Sequence, residues 1–142
     1  MAREMTKEEY EGFFLDRART ATLATVRADG RPHAAPVWFD LEGDTFVFTT
    51  AEGTVKGRNM RCDPRVSLCI DDEEPPFHFV VVEGTADLTA DDPDLLHWAT
   101  RIGGRYMGES RAEEYGRRNA VPGELLVRVN PNKILAYKNI SD

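Results

Sequence analysis

Between Thr20 and Thr50 the chain alternates strand-forming runs with glycine turns: TATLATV, Asp29-Gly30, HAAPVWFDL, Glu42-Gly43-Asp44, TFVFTT. Turns this short leave no room for a crossover connection, so neighbouring runs must pair antiparallel as hairpins. Asp29-Gly30 reads as a type I′ turn, whose two central positions both need positive φ. Pro36 implies a bulge or an edge position for the second run, because proline donates no ladder hydrogen bond. Trp38 and Phe39 are adjacent on that run and so point to opposite faces, one of them into a core.

The rest of the chain fits the same plan. Thr6-Lys7-Glu8-Glu9 has the capping-box pattern and opens a helix with Tyr10, Phe13, Phe14 and Ala18 on one face. A short helix is expected over Thr54–Cys62, stopped by Asp63-Pro64, with RVSLCI as the next strand. After the DDEEPP loop, Phe77–Thr89 reads as a long strand interrupted at Gly84, which marks either a bulge or a close backbone approach to a ligand. Asp92-Pro93 opens a helix with Leu95, Leu96, Trp98, Ala99 and Ile102 on its core face, and Gly103-Gly104 ends it. ESRAEEYGRRN is a polar helix, and ELLVRV and KILAYKN are two closing strands split by Asn130-Pro131-Asn132. Six or seven antiparallel strands with three or four helices describe a mainly β fold, a small barrel with helices packed outside it.

Length and charge narrow the function. The 142 residues make one domain, 1–142. A net charge of −7 argues against non-specific binding to nucleic acid or to an anionic membrane. No apolar run approaches the roughly 20 residues that span a bilayer. The charged start, MAREMTKEEYEGFF, has no signal-peptide core, so the expectation is a soluble, cytoplasmic protein. Cys62 and Cys69 lack CxxC spacing and read as small buried apolar residues. None of the three serines lies in a GxSxG elbow, and His33, His78 and His97 have no metal-ligand spacing. Without GxGxxG or GxxxxGK[ST] either, hydrolase, metal and P-loop chemistry all lose support.

What remains is TTAEGTVKGRN, Thr49 to Asn59. Thr49, Thr50 and Thr54 can offer hydroxyls to phosphate oxygens. The free N–H groups of the helix opening near Thr54 add fixed positive polarity, and Lys56 adds a full charge. Arg58, Arg61 and Arg65 follow against the single acid Asp63, a basic island on an acidic body that suits a ligand with several negative groups. The plain alternative is a threonine-capped surface helix with solvated cations.

The ordered set of hairpin, Pro-Val-Trp strand, FTT loop, Lys-x-x-Asn helix, DPRVSL strand and V-E-G strand resembles the pyridoxamine-phosphate-oxidase-like split β-barrel superfamily. The run KGRNMRCDPRVSL looks like the flavin/deazaflavin oxidoreductases that use coenzyme F420, the B group. The likeness extends from about Thr6 to Tyr137 and includes a closing strand pair of the type V-R-V-x-P-x-K-I-x-A-Y. It implies a six-stranded split barrel, a homodimer, and a cofactor in the groove between subunits. By resemblance the phosphate sits on Thr49, Thr50, Thr54 and Lys56, and the ring lies along His33, Ala34, Ala35, Pro36 and Val37, with Asn59 close by. Relatives that oxidise pyridoxamine phosphate with FMN commonly carry an Arg-Lys pair where this chain has Val55-Lys56, and an Arg-x-His motif that ELLVRVNPNKILAYKNISD lacks. The extra arginines suit the carboxylate-bearing tail of F420. The expected activity is hydride transfer from reduced F420 to a small-molecule acceptor such as an activated C=C. FMN is the alternative cofactor, and a non-catalytic flavin-binding protein the alternative class. His33 is the candidate proton donor, as a group that titrates near neutrality; the plainer reading has it lining the ring edge or facing solvent.

Overall fold

The computed structural model describes residues 1–142. Its elements are β1 (Arg3–Glu4), α1 (Lys7–Leu15), β2 (Ala21–Val26), β3 (Pro32–Val37), β4 (Asp40–Glu42), β5 (Thr45–Ala51), α2 (Val55–Cys62), β6 (Arg65–Asp71), β7 (Phe79–Ala90), α3 (Leu95–Met107), α4 (Ala112–Asn119) and β8 (Glu124–Lys138). Every pairing is antiparallel. The strands run β3-β2-β6-β7-β8-β5-β4, with β1 added on β8. This is a mainly β split barrel with outer helices, as the turn spacing implies. The eighth strand, β1, is two residues long and carries no pattern that a sequence reading could use. No helix is long and apolar enough to cross a membrane.

Alternation puts one set of side chains inside. Val66, Leu68 and Ile70 of β6 and Val80 and Val82 of β7 join Phe39, Phe46 and Phe48 in a single apolar cluster. Helix α1 covers one end of the barrel. The Thr6 hydroxyl accepts from the Glu9 N–H at 3.2 Å and the Glu9 carboxylate accepts from the Thr6 N–H at 3.1 Å, a complete capping box. That start aims Phe13 and Phe14 inward, with the Phe14 ring 5.1 Å from Phe46. The helix stops at Leu15, so Ala18 lies past it and is exposed rather than part of its apolar face.

The β2–β3 turn differs from the expected type. Gly30 N–H donates to the Arg27 carbonyl at 2.8 Å and Arg27 N–H to the Arg31 carbonyl at 2.9 Å, which closes a three-residue loop. Only Gly30 has positive φ, the single left-handed position a three-residue hairpin loop needs, and the Asp29 carboxylate accepts from the Arg31 N–H beside it. The run expected from His33 to Leu41 breaks at Trp38–Phe39, where Phe39 N–H donates to the Tyr106 hydroxyl at 3.1 Å instead of to a strand. Phe39 is fully buried and Trp38 is 37% exposed, so their side chains do diverge.

Gly103 and Gly104 do not end α3. They lie inside it, where a Cβ on Gly103 would stand 2.6 Å from Tyr115 Cβ, and α4 supplies Gly116 to the same crossing. Glycine serves close helix packing here, and the helix stops at Gly108, whose φ is 97°. Leu96 is 53% exposed, off the buried face of Trp98, Ala99 and Ile102. Asp92 does not cap the helix: its carboxylate accepts from Asp94 N–H at 2.8 Å and from Arg128 at 3.1 Å, and the helix begins at Leu95.

The two closing strands are one. β8 runs unbroken through Pro131, with Asn132 left out of the ladder between Lys133, opposite Glu83, and Pro131, opposite Gly84. Gly84 is therefore a bulge residue: a Cβ there would meet the Asn130 carbonyl oxygen at 2.6 Å and Val129 Cγ1 at 2.8 Å. Gly84→Ala should cost ~1–3 kcal/mol, as over-packing does. Gly12→Ala, on the open face of α1 with nothing within 4 Å of the new Cβ, should instead stabilise by ~0.5–1 kcal/mol. Urea denaturation of the two variants checks both signs.

Candidate functional site

Strand β5 feeds α2 through a glycine turn, and α2 opens on a side-chain cap. Thr54 is its N-cap: its hydroxyl accepts from Gly57 N–H at 3.1 Å and donates to the Ala51 carbonyl at 2.8 Å. With that hydrogen used, the 3.0 Å contact between the Thr50 and Thr54 hydroxyls has Thr50 as donor. The N–H groups of Val55 and Lys56 have no intrahelical acceptor. Lys56 is half-buried beside them and pairs with no carboxylate within 4.0 Å.

The four residues expected around a phosphate do not share one face. Thr50 is 3% exposed and points inward with Phe46 and Phe48, while Thr49 points to the opposite side of β5. There Thr49 meets Glu124, brought next to it by the pairing of Ala51 with Glu124. Burial pushes the Glu124 carboxyl above its ordinary value, against the pull of the Thr49 hydroxyl and the Lys56 charge. Thr50, Thr54 and Lys56 thus gather at the mouth of α2, and Thr49 reaches it only through Glu124, a residue that the chain alone does not flag.

β3 splits the expected ring-binding residues in the same way. His33, Ala35 and Val37 pair with Thr25, Leu23 and Ala21, whose side chains are buried, and so face inward. Ala34 and Pro36 face outward and are exposed. Asn59 of α2 is 7% exposed, and its side-chain amide donates to the Thr25 hydroxyl at 3.0 Å. Since Thr25 lies opposite His33, one bond ties α2, β2 and β3 together. The Nδ1 of His33 is buried and has no hydrogen-bond partner.

The basic island is smaller than it reads. Arg65 pairs with Asp63 at 2.7 Å, and that hydrogen bond holds the Asp63 carboxyl down at about 2. Arg61 approaches Glu52 at 3.9 Å. Only Lys56 and Arg58 stay free of acids. Trp38 stacks flat on Tyr106, ring centres 4.9 Å apart, and the Tyr106 hydroxyl donates to the Arg19 carbonyl at 2.6 Å. Tyr106 is therefore a strut that fixes Trp38 beside the end of β3, its phenol pushed up chiefly by burial. Trp98 packs with Val47 and Leu126 in a second small core. Cys69 is half-buried with its thiol pushed up by burial, whereas Cys62 is exposed, because it falls on the outer side of α2.

Relationship to known proteins follows this geometry. The family model for pyridoxamine 5′-phosphate oxidase matches residues 6–138, and the chain belongs to that family. A Rubrobacter xylanophilus protein named pyridoxine/pyridoxamine 5′-phosphate oxidase is 40% identical over 89 residues, 61% of this chain and 40% of its own length. The chain spans less than half the length of the curated relatives it matches. Among solved structures, a conserved hypothetical protein from Mycobacterium tuberculosis superposes with a TM-score of 0.80 at 24% identity, covering 98% of this chain and 90% of the other. An F420 reductase superposes at 0.68 with 27% identity over 87% of this chain and 94% of its own.

The raised Glu124 value has a definite sign. A carboxyl that holds its proton more tightly in the folded state lends stability below its unfolded value, and loses it as pH rises through the folded one. Glu124→Gln should therefore raise the urea midpoint at pH 7 and leave it nearly unchanged below pH 4, which paired denaturation curves at the two pH values test.

Proposed function

We propose that this chain is an oxidoreductase that uses reduced coenzyme F420 to transfer a hydride to a small organic acceptor, such as an activated C=C bond. The carrying observation is the mouth of α2, where Lys56 and two N–H groups without intrahelical acceptors gather on a helix that Asn59 ties to Thr25, opposite His33 of β3. A ligand with a phosphate at one end and a flat ring at the other fits residues of that kind. The orphaned His33 Nδ1 supports the fit, since a buried polar atom without a partner is costly unless a ligand supplies one. The 27% identity to an F420 reductase favours the deazaflavin.

When bound, the reduced deazaflavin supplies a hydride, and a proton from solvent or from the protein completes the reduction. Lys56 and the first N–H groups of α2 would hold the phosphate, and Thr50 and Thr54 set that turn. The ring would border Ala34 and Pro36 on the exposed side of β3, with the inward Ala35 and Val37 anchoring the strand behind it, and Asn59 ties α2 to β2 through Thr25. His33 would stand at the ring edge as the candidate proton donor. Thr49 tunes Glu124, whose charge sets how strongly Lys56 attracts an anion. A second copy of the chain completes the groove along the β3 edge, and the setting is cytoplasmic.

A second reading keeps the site and replaces F420 with FMN, as an FMN-binding oxidoreductase of the pyridoxamine-phosphate-oxidase-like kind. The names of the curated relatives favour it.

Titration of the protein with F420 and with FMN, each followed by ligand fluorescence, separates the two. Tight F420 and weak FMN binding is the expected result; the reverse moves the chain to the FMN reading. Lys56→Ala should weaken the bound cofactor at least tenfold, ~1.4 kcal/mol, with little change in the denaturation midpoint. Unaltered affinity in that variant rules out the phosphate seat.

A further inference from the structure

The apolar interior is not sealed at the end of the barrel that α1 covers. A groove of about 350 Å³ opens there between three walls: α1, the β4–β5 turn and the part of β8 around its bulge. It lies at the opposite end of β5 from the mouth of α2. Phe14 and Phe46 form its floor. Tyr10, Leu41 and Ile134 are half-buried, packed on the core on one side and bordering the groove on the other. The Phe14 ring stands 5.1 Å from Phe46 at 79° and 5.8 Å from Tyr10 at 54°, so the floor offers both ring faces and ring edges.

The bulge shapes the third wall. In a regular strand only alternate residues reach one face, yet Pro131, Asn132, Lys133 and Ile134 line this groove in succession. Asn132 drops out of the ladder at that point, and a bulge of this kind re-aims the side chains around it. It leaves Lys133 at the lip of an apolar groove. Glu83, the ladder partner of Lys133, does not come within 4.0 Å of its ammonium, and neither does any other carboxylate.

Charge at the rim selects the occupant. Lys7 is answered from two sides, 3.7 Å from Glu11 on its own helix and 3.6 Å from Asp44 on the β4–β5 turn, and so ties two of the walls together. Lys133 is the one rim cation without an acid. An anionic group beside Lys133 is attracted, while a second on the same small molecule meets Glu11 and Asp44. The volume is near the small end of ligand pockets, which run from roughly 300 to 1,000 Å³, and suits a body of one or two rings. Flat rings pack edge-to-face and offset on such an aromatic floor.

We infer that the groove between α1, the β4–β5 turn and the β8 bulge is a binding site for a small aromatic monocarboxylate, its ring on Tyr10, Phe14 and Leu41 and its carboxylate on Lys133. The site is separate from the mouth of α2 and stands whichever cofactor that mouth holds.

Three naphthalenes that share a body and differ in charge test it by calorimetric titration: naphthoate, naphthalenemethanol and naphthalenedicarboxylate. The intact protein should bind naphthoate at least tenfold more tightly than the other two. Lys133→Met, at an exposed position, should bring naphthoate down to the level of the alcohol, and Lys133→Arg should keep most of the preference. The methyl resonances of Leu41 and Ile134 should shift on adding naphthoate, which locates it, and Lys56→Ala should bind it as the intact protein does. Naphthoate binding that is lost in Lys56→Ala and kept in Lys133→Met belongs to the mouth of α2 and overturns the site. Equal binding of the three compounds, or no binding at millimolar ligand, overturns it as well. So do Leu41 and Ile134 resonances that shift with protein concentration and not with naphthoate, because a second copy of the chain then covers the groove.

Discussion

The near-contact of two backbones at Gly84 and Asn130 governs how this barrel closes. β8 has to serve three neighbours: its first half pairs with β5, its length pairs with β7, and its end pairs with β1. A straight strand cannot follow all three, so it bends where Asn132 drops out of the ladder. The bend brings the Asn130 carbonyl so close to β7 that only a residue without Cβ fits there. On the other side of β8 the regular pairing with β5 sets Glu124 opposite Ala51, next to the α2 mouth.

Much of this was legible in the chain because it is local. The capping box at Thr6, the α2 start at Thr54, the stop at Asp63-Pro64 and the opposite facing of Trp38 and Phe39 each depend on residues a few positions apart. What could not be read depends on distant partners. Gly103-Gly104 looks like a helix terminator until α4 is seen crossing it, and Pro131 looks like a strand breaker until it is found opposite a glycine bulge. The β2–β3 turn takes a three-residue form with one left-handed residue, Gly30, and the Asp29 carboxylate on the Arg31 N–H. At the site, Thr50, Thr54 and Lys56 were visible as a group, whereas the separation of Thr49 from Thr50 follows from strand alternation. Thr25 could have been found by counting across the hairpin from His33; Glu124 carried no such signal.

Charge counting along the sequence also misjudged the helix. The +3 run of Lys56, Arg58, Arg61 and Arg65 against Asp63 treats neighbours in sequence as neighbours in space. Folded, Arg65 turns back on Asp63 and Arg61 toward Glu52. The positive surface that results is narrower and better directed.

The prolines of β3 have a further consequence, for how the protein behaves in a crowded solution. β3 ends the sheet and pairs only with β2. Because Pro32 and Pro36 have no N–H to give, strand geometry turns their positions, and that of Ala34 between them, toward the open side. That edge then shows a single donor, from Ala34, where a strand of ordinary residues would show a full row. An incoming strand from another chain meets carbonyl acceptors but one donor, too few to form a full ladder, so this edge disfavours edge-to-edge pairing without a covering helix.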